Sequence, residues 1–272
     1  MSVHIFCGDR RVDAIPADDR GLAYGDGLFE TMRVHRGEIP WWSAHWSRLE
    51  LGARRMRLPL PDREQAMAEA AHLCARRDGV LKLIVTRGGG GRGYAMPADA
   101  VPTWLLSWHP LPSQHRPGGL VLRWCDMRIA LQPALAGVKH CNRLEQVLAR
   151  AEWSDPGIDE GLLRSTGGDV VGATAANIFL FDGERWRTPR VDRCGIAGVC
   201  RSWILATTDA QEERLSPEDI EGAEALVLCN AVRGILPVAR LGDRTWPPHP
   251  AVQALCERLG QAHPAFVPKE DA

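Results

Sequence analysis

Lysine is nearly missing from this chain. Of the 33 basic residues among 272, only Lys82, Lys139 and Lys269 are lysines, so arginine carries almost all of the positive charge. Arginine stays protonated and cannot form an imine, so any amine chemistry must rest on one of these three side chains. Excess charge is missing too. A formal net charge of -1 argues against a nucleic-acid protein, which would usually show a basic face. The eight cysteines (7, 74, 125, 141, 194, 200, 229 and 256) form no CxxC pair, which argues against a zinc framework or a disulfide scaffold. Reduced thiols and a cytoplasmic setting are the expectation. No apolar run could span a bilayer, and the first residues carry no long apolar stretch of the kind that directs export. No histidine pair has metal spacing and no serine sits in a nucleophile elbow, so metal and acyl-enzyme chemistry are disfavoured.

What is present reads as a mixed α/β protein. The hydrophobic fraction of 45% and charged fraction of 25% suit a globular enzyme. Leu28 to Val34, Val80 to Thr86 and Trp104 to Trp108 are strand-like, and Ser43 to Met56 and Asp62 to Arg77 are helical. Three prolines and two glycines between His109 and Gly119 predict a linker at 111–118. It would separate a small N-terminal α/β domain (1–110) from a larger C-terminal domain (119–272) that carries Lys139. Beyond it, Leu120 to Trp124, Gly161 to Leu163, Asn177 to Phe181 and Leu226 to Leu228 predict strands. Helices are expected from Val199 and over Pro250 to Leu259. Two domains with a ligand site between them are the natural arrangement.

Lys139 precedes a run in which Leu144, Val147, Leu148 and Ala151 recur at helical spacing and face one way, which predicts a packed helix. Asn142 with Glu145 three residues later reads as its N-cap and reciprocal partner. A lysine one turn before a packed helix can have its amine aimed inward and desolvated, which leaves more free amine for Schiff-base chemistry. An ordinary solvated lysine is the plainer alternative. Gly195 to Arg201 leads into a helix start at Val199, where free backbone N–H groups and the dipole offer an anion cup at Gly198, Val199 and Cys200. The strand end at Asn230-Ala231 could add amides to it, or be a simple turn. Arg48, on a helix beside apolar neighbours, reads as a phosphate clamp or a solvated residue. The run Arg87 to Tyr94 holds four consecutive glycines but lacks the lysine-serine/threonine of a P-loop. It reads as a hairpin loop, or as one that recognises carboxylates through its arginines.

Taken in order, Asp19 to Thr31, His45 to Leu49, Arg87 to Tyr94, Gly137 to Leu148, Ala175 to Phe179, Thr188 to Arg190 and Gly195 to Arg201 resemble the fold-type IV pyridoxal-phosphate enzymes. That family holds the D-amino-acid and branched-chain aminotransferases, and the lysine segment is most similar to its aminodeoxychorismate lyase branch. The resemblance implies a two-domain fold like that of D-amino-acid aminotransferase, pyridoxal 5'-phosphate as cofactor and a homodimer. It implies that Lys139 holds the cofactor and then acts as acid and base. Arg48, the amides of Val199 and Cys200, and the Asn230-Ala231 turn would contact the phosphate. Asn142 and Arg143 would lie near the phenolic oxygen, and Tyr24, Arg92 and Tyr94 would face the substrate.

One position departs from the family. A glutamate that contacts the pyridine nitrogen lies five residues before the asparagine matched by Asn177, and here that position is Gly172. Losing the carboxylate weakens the ring as an electron sink, which favours elimination over transamination. The expected activity is therefore conversion of 4-amino-4-deoxychorismate to 4-aminobenzoate and pyruvate, in folate synthesis. The rivals are an aminotransferase of the same fold and a non-catalytic protein that keeps the fold alone.

Overall fold

The computed structural model describes residues 2–113 and 118–267; residues 114–117 of the expected linker, and Lys269, lie outside the described residues. The chain divides into two compact units. One comprises Met1–Pro112 with Val138–Asn142, the other Ser113–Gly137 with Arg143–Ala272.

The first unit is built on strands β1 (Ser2–Cys7), β2 (Arg10–Val12), β3 (Gly27–Val34), β4 (Gly79–Thr86) and β5 (Thr103–His109), with helices α1 (Arg20–Tyr24), α2 (Trp42–Met56) and α3 (Arg63–Cys74). The strands form an antiparallel sheet in the order β2-β1-β5-β4-β3. Alternation in β3 turns Leu28, Met32 and Val34 into the core, where α2 buries Trp46, Leu49 and Ala53 and α3 buries Ala66, Ala70 and Leu73. Helix α3 starts where Asp62 accepts a bond from the Gln65 amide at 2.8 Å. It ends at Cys74 rather than Arg77, because Arg76 takes a left-handed φ of 56° that no helix continues.

Val138–Asn142 belongs to this unit and not to the C-terminal one where Lys139 was expected. The Phe29 amide donates to the Lys139 carbonyl at 3.0 Å, and the Cys141 amide to the Gly27 carbonyl at 2.9 Å. Val138 is buried in the same core. Backbone pairing with β3 captures the segment.

The second unit holds β6 (Leu120–Ile129), α4 (Leu144–Arg150), β7 (Glu160–Ser165), β8 (Val170–Ala173), β9 (Asn177–Phe181), β10 (Trp186–Pro189), α5 (Val199–Thr207), β11 (Gln211–Glu213), α6 (Pro217–Gly222), β12 (Ala225–Asn230), β13 (Gly234–Leu241), β14 (Arg244–Thr245) and α7 (Pro250–Ala262). Its mixed sheet runs β11-β10-β9-β12-β13-β6-β7-β8, with β14 paired to β13. Leu120, Leu122, Leu162, Ile178, Leu180, Leu226, Leu228 and Val238 form one core with Ile220 of α6. Cys125, Ile129 and Leu163 form another with Ala149 of α4 and Trp153. Among the described residues no helix is long and apolar enough to cross a membrane.

Helix α4 corrects two expectations. It starts at Leu144 with Arg143 at the cap and no side-chain capping bond. Asn142 instead donates to the Gly25 carbonyl at 3.1 Å, and Glu145 accepts from the Ala130 amide at 2.8 Å. The apolar face is also not packed in the single chain. Leu144, Val147 and Leu148 are 76%, 59% and 56% exposed, since this short helix seats on its sheet through Ala149 alone.

The glycine run opens at Gly88, where φ is +84° and an added Cβ would overlap the Val101 carbonyl oxygen. Gly88→Ala should therefore destabilise the protein by at least about 1–2 kcal/mol, the cost of a left-handed residue with a side chain. A urea melt reads it as a lowered midpoint with unchanged slope.

Candidate active site

In the first unit the site grows from the two faces of β3. Phe29 points away from the helices, and the Lys139 amine stands over its ring, 4.2 Å from the centroid. Lys82 on β4 reaches the same ring at 5.5 Å. Lys139 is half-buried, held by its carbonyl on one side and by this ring contact on the other. An amine lodged on an aromatic face loses part of its hydration while keeping electrostatic attraction to the ring.

On the other face of β3, alternation places Glu30 among the core positions, 1% exposed. Its carboxylate accepts from His45 Nδ1 at 2.6 Å and from Arg48 Nε at 2.8 Å, and also from Arg48 Nη2. His45 and Arg48 lie three residues apart on α2, so both side chains project toward the same strand. Burial by itself would raise the Glu30 pKa, but the charge of Arg48 and the hydrogen bonds from His45 and Arg48 outweigh it and hold the group at about 2. His45 moves the opposite way. Burial lowers its pKa, Glu30 resists, and the charges of Arg48 and Lys139 add to the lowering. A neutral His45 donating through Nδ1 leaves Nε2 buried with no hydrogen-bond partner. Glu30 was missed as a site residue. The signal was present: a carboxylate at an apolar position of an alternating strand must be paired.

The residues expected to face the substrate surround a second buried network. Asp26 accepts from Arg20 Nε at 3.0 Å and from Arg87 Nε and Nη2 at 2.7 and 2.9 Å. Although burial opposes it, these two arginines lower the Asp26 pKa. Arg87 also donates to the Met56 and Arg57 carbonyls at the end of α2. Arg20 donates to the Gly93 carbonyl at 3.0 Å, while the Gly93 amide donates to the Tyr24 hydroxyl at 3.2 Å. The Tyr24 and Tyr94 rings are 5.4 Å apart. Tyr24 therefore anchors the glycine loop, and Arg92 and Tyr94 are exposed upon it.

In the second unit, α5 begins at an N-cap, Gly198, without a capping side chain. That leaves the first-turn amides of Val199 and Cys200 for an anion. A Cβ at Gly198 would collide with Asn177 Oδ1, so only glycine lets the turn seat here. Asn177 also donates to the Ile196 carbonyl at 2.9 Å, and the Gly137 amide donates to the Gly195 carbonyl at 2.9 Å. Cys200 and Cys229 share a thiol hydrogen bond, which with burial pushes the Cys200 pKa far up and makes it inert. Cys229 directly precedes Asn230, so this contact brings the helix start beside the Asn230-Ala231 step. The Asn230 side chain itself accepts from the Val232 and Arg233 amides at 3.0 and 2.9 Å and shapes that step.

Gly172 has φ +151°, and a Cβ there would lie 3.0 Å from the Ala176 carbonyl oxygen. The missing carboxylate is thus matched by a backbone that disfavours any side chain. A glutamate put back at 172 would test strain as well as charge.

In the first unit an arginine fixed by a buried acid accompanies a half-buried lysine, and in the second an uncapped helix start has a glycine cradle; each by itself has donor chemistry that fits part of a phosphorylated aldehyde cofactor. The family model for amino-transferase class IV matches residues 27–241. The chain is 31% identical over 234 residues to aminodeoxychorismate lyase of Vibrio harveyi, covering 83% of this chain and 86% of that protein. The crystal structure of 4-amino-4-deoxychorismate lyase from Pseudomonas aeruginosa is 40% identical, with a TM-score of 0.89, over 95% of this chain and 99% of that one. D-alanine aminotransferase of Bacillus licheniformis is 23% identical over 256 residues, 87% of this chain and 86% of that protein. The chain belongs to the class IV aminotransferase family.

Proposed function

We propose that this protein is a pyridoxal-phosphate lyase that converts 4-amino-4-deoxychorismate to 4-aminobenzoate and pyruvate. The observation that carries the reading is Lys139 paired to β3 with its amine over Phe29, in a chain 40% identical to a lyase of that name. When bound, the cofactor supplies an electron-withdrawing ring that stabilises negative charge at the substrate carbon bearing nitrogen.

The chain's own residues hold the phosphate and move one proton. Arg48, locked by Glu30, presents a fixed guanidinium to the phosphate, and the amides at Val199, Cys200, Asn230 and Ala231 are the neutral donors. Asn142 braces Gly25 rather than capping a helix, and it and Arg143 keep the places assigned beside the phenolic oxygen. The Lys139 amine takes the proton from the ring carbon that bears nitrogen, as a general base working near neutral pH. The ring C–O bond to the enolpyruvyl group then breaks, the ring becomes aromatic, and Lys139 returns the proton to the methylene carbon to give pyruvate. No water is consumed and no redox partner is needed. Tyr24, Arg92 and Tyr94 sit on the substrate side. Position 172 lends no carboxylate to the ring nitrogen, which leaves aromatisation as the driving force and makes transamination the poorer reaction.

We also propose a homodimer in the cytoplasm. Leu144, Val147 and Leu148 form an apolar helix face that the single chain leaves exposed, as a subunit interface would require.

Three measurements test these readings. Lys139→Ala should abolish release of 4-aminobenzoate and the cofactor's visible absorbance, and Lys139→Arg should not restore them. Retention of full lyase turnover by either variant sinks the assignment. Glu30→Gln should weaken cofactor affinity and cost about 3 kcal/mol, as breaking a buried ion pair does. Glu30's folded pKa lies below its ordinary 4.5, so its contribution is complete above 4.5 and lost as pH falls toward 2. Urea midpoints of the variant should lack that acid slope, and an unchanged slope would show that Glu30 is not the titrating group. Light scattering should give twice the 30.0 kDa chain mass, and Val147→Glu with Leu148→Glu should halve it.

A further inference from the structure

Glu160, the first residue of β7, is an acid the mechanism does not use. It is half-buried, and its carboxylate accepts from the Thr174 hydroxyl and from the amides of Gly161, Thr174 and Ala175. Thr174 and Ala175 belong to the 173–176 turn, closed by a bond from the Ala173 amide to the Ala176 carbonyl at 2.8 Å. That turn feeds both edges of the anion cup. On one side it runs directly into Asn177, which holds Ile196 and packs against Gly198. On the other, the Ala175 carbonyl accepts from Asn230 Nδ2 at 3.4 Å, and the same Asn230 side chain organises the amides that follow it. A cavity of ≈ 320 Å³ lined by Asp159, Glu160, Ala175, Asn230 and Arg233 gives the acid a route to solvent protons.

We propose that Glu160 is a positioning residue: by accepting from the 173–176 turn in its ionised form, it sets the spacing of Asn177 and Asn230 and so the anion affinity of the cup at Gly198–Cys200 and Asn230-Ala231. The inference rests on the proposed reading of that cup as the phosphate site. Protonation removes acceptor capacity and releases the turn, so affinity is high while Glu160 is charged and falls as pH drops through its pKa. Burial raises that pKa, against the opposing hydrogen bonds from Thr174, Gly161 and Ala175, which brings the transition above the ordinary carboxylate range. The charged groups facing it are Asp159, which precedes it and accepts from the Val121 amide, and Arg233 in the turn before β13. The turn and β12 bring only the uncharged Thr174 and Asn230.

The test uses sulfate, which stays dianionic throughout, titrated by calorimetry into the full chain freed of cofactor between pH 5 and 8.5. Wild type should lose affinity as pH falls, and Glu160→Gln should bind about tenfold more weakly at pH 8, the worth of a hydrogen bond to a charged group. The Gln variant should also show a flat profile. A Gln variant with wild-type affinity and slope overturns the proposal. Should that variant fail to fold, Thr174→Val decides: loss of a donor to the carboxylate must move the wild-type midpoint to higher pH, with Thr174→Ser restoring it, and an unmoved midpoint overturns the idea. Release of 4-aminobenzoate is assayed in parallel. A chain that lacks lyase turnover yet keeps the Glu160-dependent sulfate profile refutes the reaction and not the brace.

Discussion

The bond between the Phe29 amide and the Lys139 carbonyl is the constraint on which the rest of the structure depends. A lysine on a connecting segment has a flexible side chain and a mobile backbone, and neither suits an amine that must meet one carbon atom. Pairing the segment to β3 removes the backbone freedom at small cost, because the strand's edge groups need partners in any case. The amine then has a short reach and a fixed origin, and the Phe29 ring beneath it narrows the remaining choice.

The same strand carries the electrostatic half of the design on its opposite face. A carboxylate buried at Glu30 is costly unless it is paired, and the pairing with His45 and Arg48 makes it an anchor. Arg48 consequently presents its charge from one orientation. The anion cup proposed for the second unit offers backbone amides in place of a charged side chain. It relies on backbone amides whose spacing is set by Asn177, Asn230 and the turn joining β8 to β9. Such amides stay put only if the turns that bear them are tied, as the side chains of Asn177 and Asn230 tie theirs.

Much of this was legible in the sequence, and what was not has physical reasons. Strands β4 and β5 follow from their apolar runs, β3 from the strand-like run after a glycine-rich turn, and helix α2 from helical spacing. Strand β13 was hidden because Pro237 interrupts it and a register shift follows between Val238 and Arg240. β1 is short, with its polar residues interleaved, and becomes a strand only through pairing on both edges. Asn142 looked like a helix cap because cap and turn residues share the same chemistry, and only the nearby Gly25 carbonyl decides between them. The apolar spacing in α4 was read correctly as a face but wrongly as packed within the chain, since periodicity reports a stripe and not what covers it. Lys139, Arg48 and the helix start at Gly198 could be singled out from their residue types. Glu30 and Glu160 could not be told from surface acids without knowing which side of the strand is enclosed.

Gly172 has a consequence for how this sequence can change. Where the backbone holds φ at +151° and the Ala176 carbonyl oxygen stands 3.0 Å from where a Cβ would be, a carboxylate gained by one codon change brings backbone strain and a tight contact with it. The turn from 173 to 176 would have to alter first, and that turn also bears the bonds of Glu160 and Asn230. The segment therefore evolves as a block. Changes at this position are coupled to those of its neighbours in the 173–176 turn.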